Sequence, residues 1–254
     1  MTWTIKLGRD HGRYKALHQG AIGDRAACAI SVGSDPFSPS VQFKRDPDVP
    51  NEDALLGYDD GTRIVMAVSD AHFGPFASHA LIERLPAALE GVTEAEGLMQ
   101  AVAATHREDD DPQEESEATL LVVIFDRATG RGFGVSFGDS SAVAVGPEGG
   151  RRLNGKLNTF ISPAWPGTLG AHNAETFEFE CTGGELLMVF TDGIDECHYR
   201  QPETSVSLDD IVDLYRQNGT QPRIYTRRLA MRALNGVGDH PGGQDNIALV
   251  VAQI

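Results

Sequence analysis

Five aspartates stand where apolar runs of this chain end or begin. Asp70 closes Ile-Val-Met-Ala-Val-Ser and is followed by Ala71 and His72. Asp192 closes Leu-Leu-Met-Val-Phe-Thr and is followed by Gly193. Asp245 stands just before the apolar stretch that starts at Ile247, Asp53 precedes Ala-Leu-Leu, and Asp139 lies in Phe-Gly-Asp-Ser between two apolar segments. A carboxylate at the end of a buried strand is costly unless it is solvated, paired or bound to a cation. One such residue would mean little, because strand ends commonly meet turns through Asp-Gly. Five of them suggest convergence on one place.

Clustered carboxylates with neither histidine nor cysteine partners form a hard, all-oxygen site, which selects Mg2+ or Mn2+ over zinc. The histidines are scattered, with no HExxH or other i, i+4 pair. Two such cations about 3.5–4 Å apart hold a bridging water or hydroxide and lower its pKa for in-line attack on phosphorus. The chemistry implied is metal-assisted hydrolysis of a phosphoester. If extended geometry persists past Asp70, His72 projects to the same face, because side chains alternate with period two. Its imidazole could protonate a departing oxygen. A turn histidine without a role fits the spacing equally well.

The elements that must position these residues follow from periodicity and turn signals. Strands are expected at 26–33, 53–58, 62–70, 119–126, 131–139, 141–146, 176–181, 186–192 and 246–254, and helices at 79–90, 93–108, 207–219 and 223–236. The near-continuous apolar run of 62–70 reads as a strand buried on both faces. Segments 119–126 and 131–139 read as a hairpin, and so do 176–181 and 186–192 around Thr-Gly-Gly-Glu. Pro86 is expected to kink or break its helix, whereas Ser207 opens and Gly219 closes the third. The Gly-, Asn- and Pro-rich stretch 147–173 reads as a long loop. The acidic run 108–117 reads as a solvated connection or a docking segment for a basic partner.

The chain has 254 residues, 41% hydrophobic and 23% charged, a composition that forms a core. Its formal charge of −16 repels phosphate backbones and anionic lipid, which argues against nucleic-acid or membrane-surface binding. No apolar run approaches the roughly 18 residues of a membrane-spanning helix, and no secretory signal is read. Cys28, Cys181 and Cys197 lack CxxC spacing and indicate neither a disulfide framework nor a thiolate zinc site. A cytoplasmic monomer is the expectation.

Asn51-Glu52-Asp53-Ala54, Val68-Ser69-Asp70-Ala71-His72-Phe73-Gly74, Gly138-Asp139-Ser140, Phe190-Thr191-Asp192-Gly193 and Asp245-Asn246 occur in a telling order. In that order and approximate spacing the sequence resembles the metal-dependent protein phosphatases (type 2C, PPM). The resemblance runs from about residue 26 to the end, which leaves 1–25 as an N-terminal extension of a single domain spanning 1–254. Each motif alone is weak; five in order across one domain-sized chain are a strong combined signal. The resemblance implies an α+β fold, a four-layer α-β-β-α sandwich of two antiparallel sheets flanked by helices. It implies a serine/threonine phosphoprotein phosphatase with two Mn2+ or Mg2+ ions and a third, weaker metal site. Asp70 would bridge the two ions, the carbonyl of Ala71 would ligate one, and Asp192 and Asp245 would hold the other. Glu52 and Asp53 would order metal-bound waters, with Asp53 also a candidate direct ligand. Asp139 matches a ligand of the third site, His72 the proposed general acid, Thr119 a structural threonine, and 147–173 a mobile flap.

The sequence departs from the family's pattern at three places. Ala71 stands where the family has Gly, which a backbone ligand tolerates if φ is negative. Phe73 stands at the next Gly and adds bulk at the pocket mouth. Asp48 replaces the family's phosphate-binding arginine. Arg45, further upstream, is the candidate for phosphate capture, for which a guanidinium is suited, with Arg9, Arg13 and Arg25 as alternatives. Without any of them, KM would rise more than metal chemistry would suffer. The competing reading is a catalytically idle, phosphatase-like module that binds phosphoproteins or regulators. Positions 48 and 73 favour it. The retained Asp70, Asp192 and Asp245, which repel one another without metal, favour the enzyme. A third reading is hydrolysis of a small phosphorylated metabolite at the same centre.

Overall fold

Fourteen strands and four α-helices follow one another in the described residues, 2–38 and 48–254, of the computed structural model. The first strands are β1 (Thr4–Leu7), β2 (His18–Ile22), β3 (Ala26–Ser31), β4 (Ala54–Asp59), β5 (Arg63–Ser69) and the short β6 (Ala71–His72). Helices α1 (Phe76–Ala88) and α2 (Ala95–Ala103) come next. They are followed by β7 (Glu117–Ala118), β8 (Leu120–Asp126), β9 (Arg131–Phe137), β10 (Ser141–Gly146), β11 (Gly149–Arg152), β12 (Glu175–Glu180) and β13 (Leu186–Phe190). Helices α3 (Leu208–Asn218) and α4 (Pro222–Asn235) precede the last strand, β14 (Ile247–Gln253).

Two six-stranded sheets result, in the orders β1-β4-β5-β8-β9-β12 and β11-β10-β13-β14-β3-β2, and β6 pairs with β7 apart from both. Every pairing is antiparallel. Period-two alternation gives each central strand two apolar faces. In β5, Ile64, Met66 and Val68 point into the core between the sheets, while Val65 and Ala67 face α1 and α2. In β14, Ala248, Val250 and Ala252 fill the inter-sheet core, while Ile247, Leu249 and Val251 meet α3 and α4. Leu81, Ile82 and Leu85 of α1 cover one outer face, and Tyr225, Leu229 and Ala233 of α4 cover the other. Each large apolar side chain buried in this way contributes about 1.5–3 kcal/mol. The layers are therefore α-β-β-α, as the resemblance implies.

Residues outside the motifs also build the frame, since β1 and β2 are edge strands, one in each sheet. Segments 176–181 and 186–192 do not form the expected hairpin. Strand β12 pairs with β9 in the first sheet, and β13 lies between β10 and β14 in the second. A short glycine-containing connection can close a hairpin or step the roughly 10 Å between packed sheets. Here packing selects the step, because β13 is buried throughout whereas only Phe177 of β12 is buried. The stretch 147–173 contains β11, which pairs with β10. Helix α1 runs through Pro86 and stops two residues later, so the missing N–H falls in its last turn. The acidic run is not simply solvated. The Arg84 guanidinium donates to both oxygens of Asp110, at 2.7 and 2.7 Å, and the Ser116 hydroxyl accepts from Ala77 N–H at 3.0 Å. No helix among the described residues is long and apolar enough to cross a membrane.

Candidate metal centre

Strand register brings the aspartates together in two pairs. Ala54 of β4 pairs with Ser69 of β5, so Asp53 and Asp70 adjoin neighbouring strand ends. Phe190 of β13 pairs with Leu249 of β14, so Asp192 and Asp245 flank neighbouring ends in the second sheet. Face-to-face packing of the sheets then closes the gap between the pairs. One carboxylate oxygen from each of Asp70, Asp192 and Asp245 lies within 4.8 Å of the others, and all three residues are buried. Oδ1 of Asp70 and Oδ1 of Asp192 have no hydrogen-bond partner among the described residues.

Electrostatics bind all five aspartates into one site. Burial, and then the charges of Asp245, Asp70, Asp139 and Asp53, push the Asp192 carboxyl well above the usual carboxylate range. Asp139 is pushed up to about 6, first by burial and then by Asp70, against the pull of Lys156. Asp53 and Asp139 thus act on the close trio without belonging to it. Unpartnered buried oxygens and mutually repelling carboxylates are what an all-oxygen donor set presents to a hard divalent cation. The residues present fit Mn2+ or Mg2+.

A hydrogen-bonded frame holds the trio. The backbone N–H of Asp70 donates to the Thr119 hydroxyl at 3.1 Å, and Thr119 N–H returns a bond to the Asp70 carbonyl at 2.8 Å. The Thr191 hydroxyl, next to Asp192, donates to Oδ2 of Asp53 at 2.7 Å. Asn246 ties the segments that carry Glu52 and Asp245. Its Oδ1 accepts from Glu52 N–H at 2.8 Å, and its Nδ2 donates to the Pro50 carbonyl at 3.1 Å. Glu52 is buried, and its carbonyl accepts from the Ser78 hydroxyl of α1. Gly193 is required by close approach, since a Cβ there would lie 1.7 Å from the Asn246 carbonyl oxygen. Gly138, before Asp139, has φ of +88° and faces Thr119, whose Cγ2 would lie 2.5 Å from an added Cβ.

Ala71 sits buried in β6 and is not among the positive-φ residues, so the condition for a glycine substitute is met. His72 is half-buried, with its ring centroid 4.9 Å from Phe160 and 6.3 Å from Phe73. Arg45 lies outside the described residues. Arg9 pairs with Glu83 at 2.5 Å in a groove bordered by Phe73. From 147–173, Asn154 bonds the Ser140 carbonyl at 2.9 Å, and Lys156 reaches Glu196 at 2.7 Å, so the stretch packs beside the site.

Sequence reasoning missed Tyr199. Its hydroxyl donates to Oδ2 of Asp245 and stands 3.5 Å from Oδ2 of Asp192. Burial and the charges of Asp192, Asp245 and Asp70 raise its pKa, so it stays a donor. Tyr199 follows Asp192 in an irregular segment without periodicity, and no local signal marked it.

A four-layer sandwich with an acidic centre at one end of its paired sheets is the architecture of the PPM phosphatases. Among solved structures, the PPM Ser-Thr phosphatase MsPP from Mycobacterium smegmatis in complex with cacodylate has a TM-score of 0.62 at 22% identity, covering 92% of this chain and 100% of that one. The catalytic domain of PstP in complex with 2 manganese ions has a TM-score of 0.65 at 18% identity, covering 94% and 99%. The PP2C phosphatase domain with a fragment of the regulatory domain of SpoIIE from Bacillus subtilis has a TM-score of 0.63 at 15% identity, covering 95% of this chain and 64% of that one. At such identities the likeness is one of fold. Family membership comes from the sequence profile of Stage II sporulation protein E (SpoIIE), which matches residues 63–254. The chain belongs to the SpoIIE family, within the PPM phosphatases. A comparison with curated proteins gave no match.

Proposed function

We propose that the chain is a metal-dependent serine/threonine phosphoprotein phosphatase. The observation that carries this reading is the buried trio Asp70, Asp192 and Asp245, in which Asp70 and Asp192 each keep an oxygen without a hydrogen-bond partner among the described residues. Asp70, Asp192 and Asp245 would hold the cations, with Asp53 and the Ala71 carbonyl as further candidate ligands and Asp139 a candidate for a further site. Bound Mn2+ or Mg2+ supplies positive charge opposite the phosphoryl oxygens and makes an attacking water more acidic. Glu52 and Asp53 orient water at the centre. His72, flanked by Phe73 and Phe160, gives its imidazole proton to the departing serine or threonine oxygen. Arg45 remains the candidate for phosphate capture. The buried thiols Cys28, Cys181 and Cys197 suit a reducing, cytoplasmic setting, and a monomer suffices for the site.

The test is hydrolysis of p-nitrophenyl phosphate and phosphothreonine peptides with Mn2+. Removing a group behind a metal ligand costs about 10–100-fold, so Asp192→Ala, which removes a ligand itself, lowers the metal-dependent rate by at least about 100-fold. Wild-type protein that binds Mn2+ but hydrolyses neither compound would establish the idle binding module instead. Faster turnover of small phosphorylated metabolites than of peptides would establish the metabolite reading.

A further inference from the structure

Helix α4 turns three arginines to solvent with no carboxylate opposite them. Arg223, Arg227 and Arg228 are exposed, and none of them forms an ion pair among the described residues. By contrast, Arg232 of the same helix pairs with Asp210, and Arg216 of α3 pairs with Asp213 at 3.1 Å. Arg223 and Arg227 stand four residues apart, so they are surface neighbours that repel each other. Arg223 also lies in the first turn, where the helix dipole disfavours a cation. Ile224 stands three and four residues before Arg227 and Arg228, shares their face, and is 44% exposed. The buried face of α4, with Tyr225, Leu229 and Ala233, already covers the sheet. The fold therefore does not account for an isoleucine among unpaired arginines.

The three arginines occupy about 7.5 Å of helix, no more than the Debye length of about 8 Å at physiological salt. An anion seated there feels the patch more than the distant carboxylates of a chain with a formal charge of −16. A nucleic acid would carry its charge onward over the surrounding acidic surface and be repelled. An apolar side chain gains Ile224 to pack on, and arginines around an apolar centre are typical of protein docking surfaces. The acidic run 108–117 of a second copy fits poorly. It has no leucine, isoleucine, valine, methionine or aromatic residue to cover Ile224, and its Asp110 is held by Arg84.

We propose that this face of α4 docks an acidic segment of a partner protein, with an apolar side chain on Ile224 and carboxylates on Arg223, Arg227 and Arg228. The proposal is independent of the phosphatase reading of the metal centre. The test follows the full chain by fluorescence anisotropy against a labelled peptide with a central leucine flanked by glutamates. One control peptide replaces the glutamates with glutamine, and another replaces the leucine with serine. The glutamate–leucine peptide binds more tightly than either control, and rising salt weakens it. Arg227→Glu and Arg228→Glu each weaken it by about tenfold, and Ile224→Ser by about fivefold. Arg131→Glu, the same change of charge in the other sheet, leaves the affinity within about twofold. All four positions are exposed, so the melting temperatures stay near that of wild type. No binding of the peptide, equal binding of the glutamine control, or equal weakening by Arg131→Glu overturns the proposal. So does tighter binding of a labelled single-stranded oligonucleotide. A wild-type dimer in light scattering that Arg227→Glu dissolves overturns it too, and assigns the face to a second copy of this chain.

Discussion

At one end of β4, Asp59 is gripped by Arg127, whose two terminal nitrogens donate to its two oxygens at 2.5 and 3.0 Å. Both side chains are nearly dry, 9% exposed for Arg127 and 2% for Asp59. At the opposite end, Asp53 adjoins the cluster of Asp70, Asp192 and Asp245, where neither Asp70 nor Asp192 pairs with a cationic side chain among the described residues. The same chemical group on one scaffold is neutralised from within at one end and left to repel its neighbours at the other. Among the described residues, an arginine is supplied to the buried Asp59 and none to the trio. That contrast is what the proposed cation site requires, and a cost in stability is the usual mark of a functional site.

An identical substitution at the two ends breaks the comparison most directly. Asp59→Asn leaves the Arg127 charge buried without its partner and costs about 3–5 kcal/mol of stability by urea denaturation. A loss under about 1 kcal/mol would show that solvent, not Asp59, satisfies that guanidinium. Asp192→Asn weakens Mn2+ binding by at least about 100-fold in calorimetry; unchanged affinity would remove Asp192 from the ligand set. Tyr199→Phe deletes the hydroxyl that orients Asp245 and weakens Mn2+ binding by about tenfold. Equal affinities would reduce Tyr199 to a packing residue.

The smallest effects concern the metal-free chain. Asp192→Asn removes like-charge repulsion there and raises the melting temperature by about 2–4 °C, roughly 1 kcal/mol at this size. Asp139 sharpens the point through pH. Its carboxyl is raised to about 6 in the folded chain, so between about 4 and 6 the folded state binds more protons than the unfolded one. Its contribution to stability is therefore lost as pH rises through that window. Melting in EDTA across this range should decline more for wild type than for Asp139→Asn. Parallel curves for the two proteins would contradict the assigned repulsion.

Much of the frame was legible because its signals are local. The unbroken apolar run of β5 announced a strand covered on both sides. The cap of α3 was legible too, since the Ser207 hydroxyl accepts from Asp210 N–H and the Asp210 carboxylate accepts from Ser207 N–H. The edge strands β1, β2 and β11 carry weaker patterns and were not expected. Thr182-Gly183-Gly184-Glu185 reads as a hairpin turn, and only packing shows it to be a passage between sheets.

The sequence by itself determined which carboxylates stand at the ends of apolar strands, because polarity and period are properties of neighbouring residues. Tertiary structure alone decided that Asp70, Asp192 and Asp245 approach within 4.8 Å, that Asn246 reaches the Glu52 backbone, and that Tyr199 bonds Asp245. Register and sheet stacking relate residues far apart along the chain, and no short window of sequence encodes a distance between them.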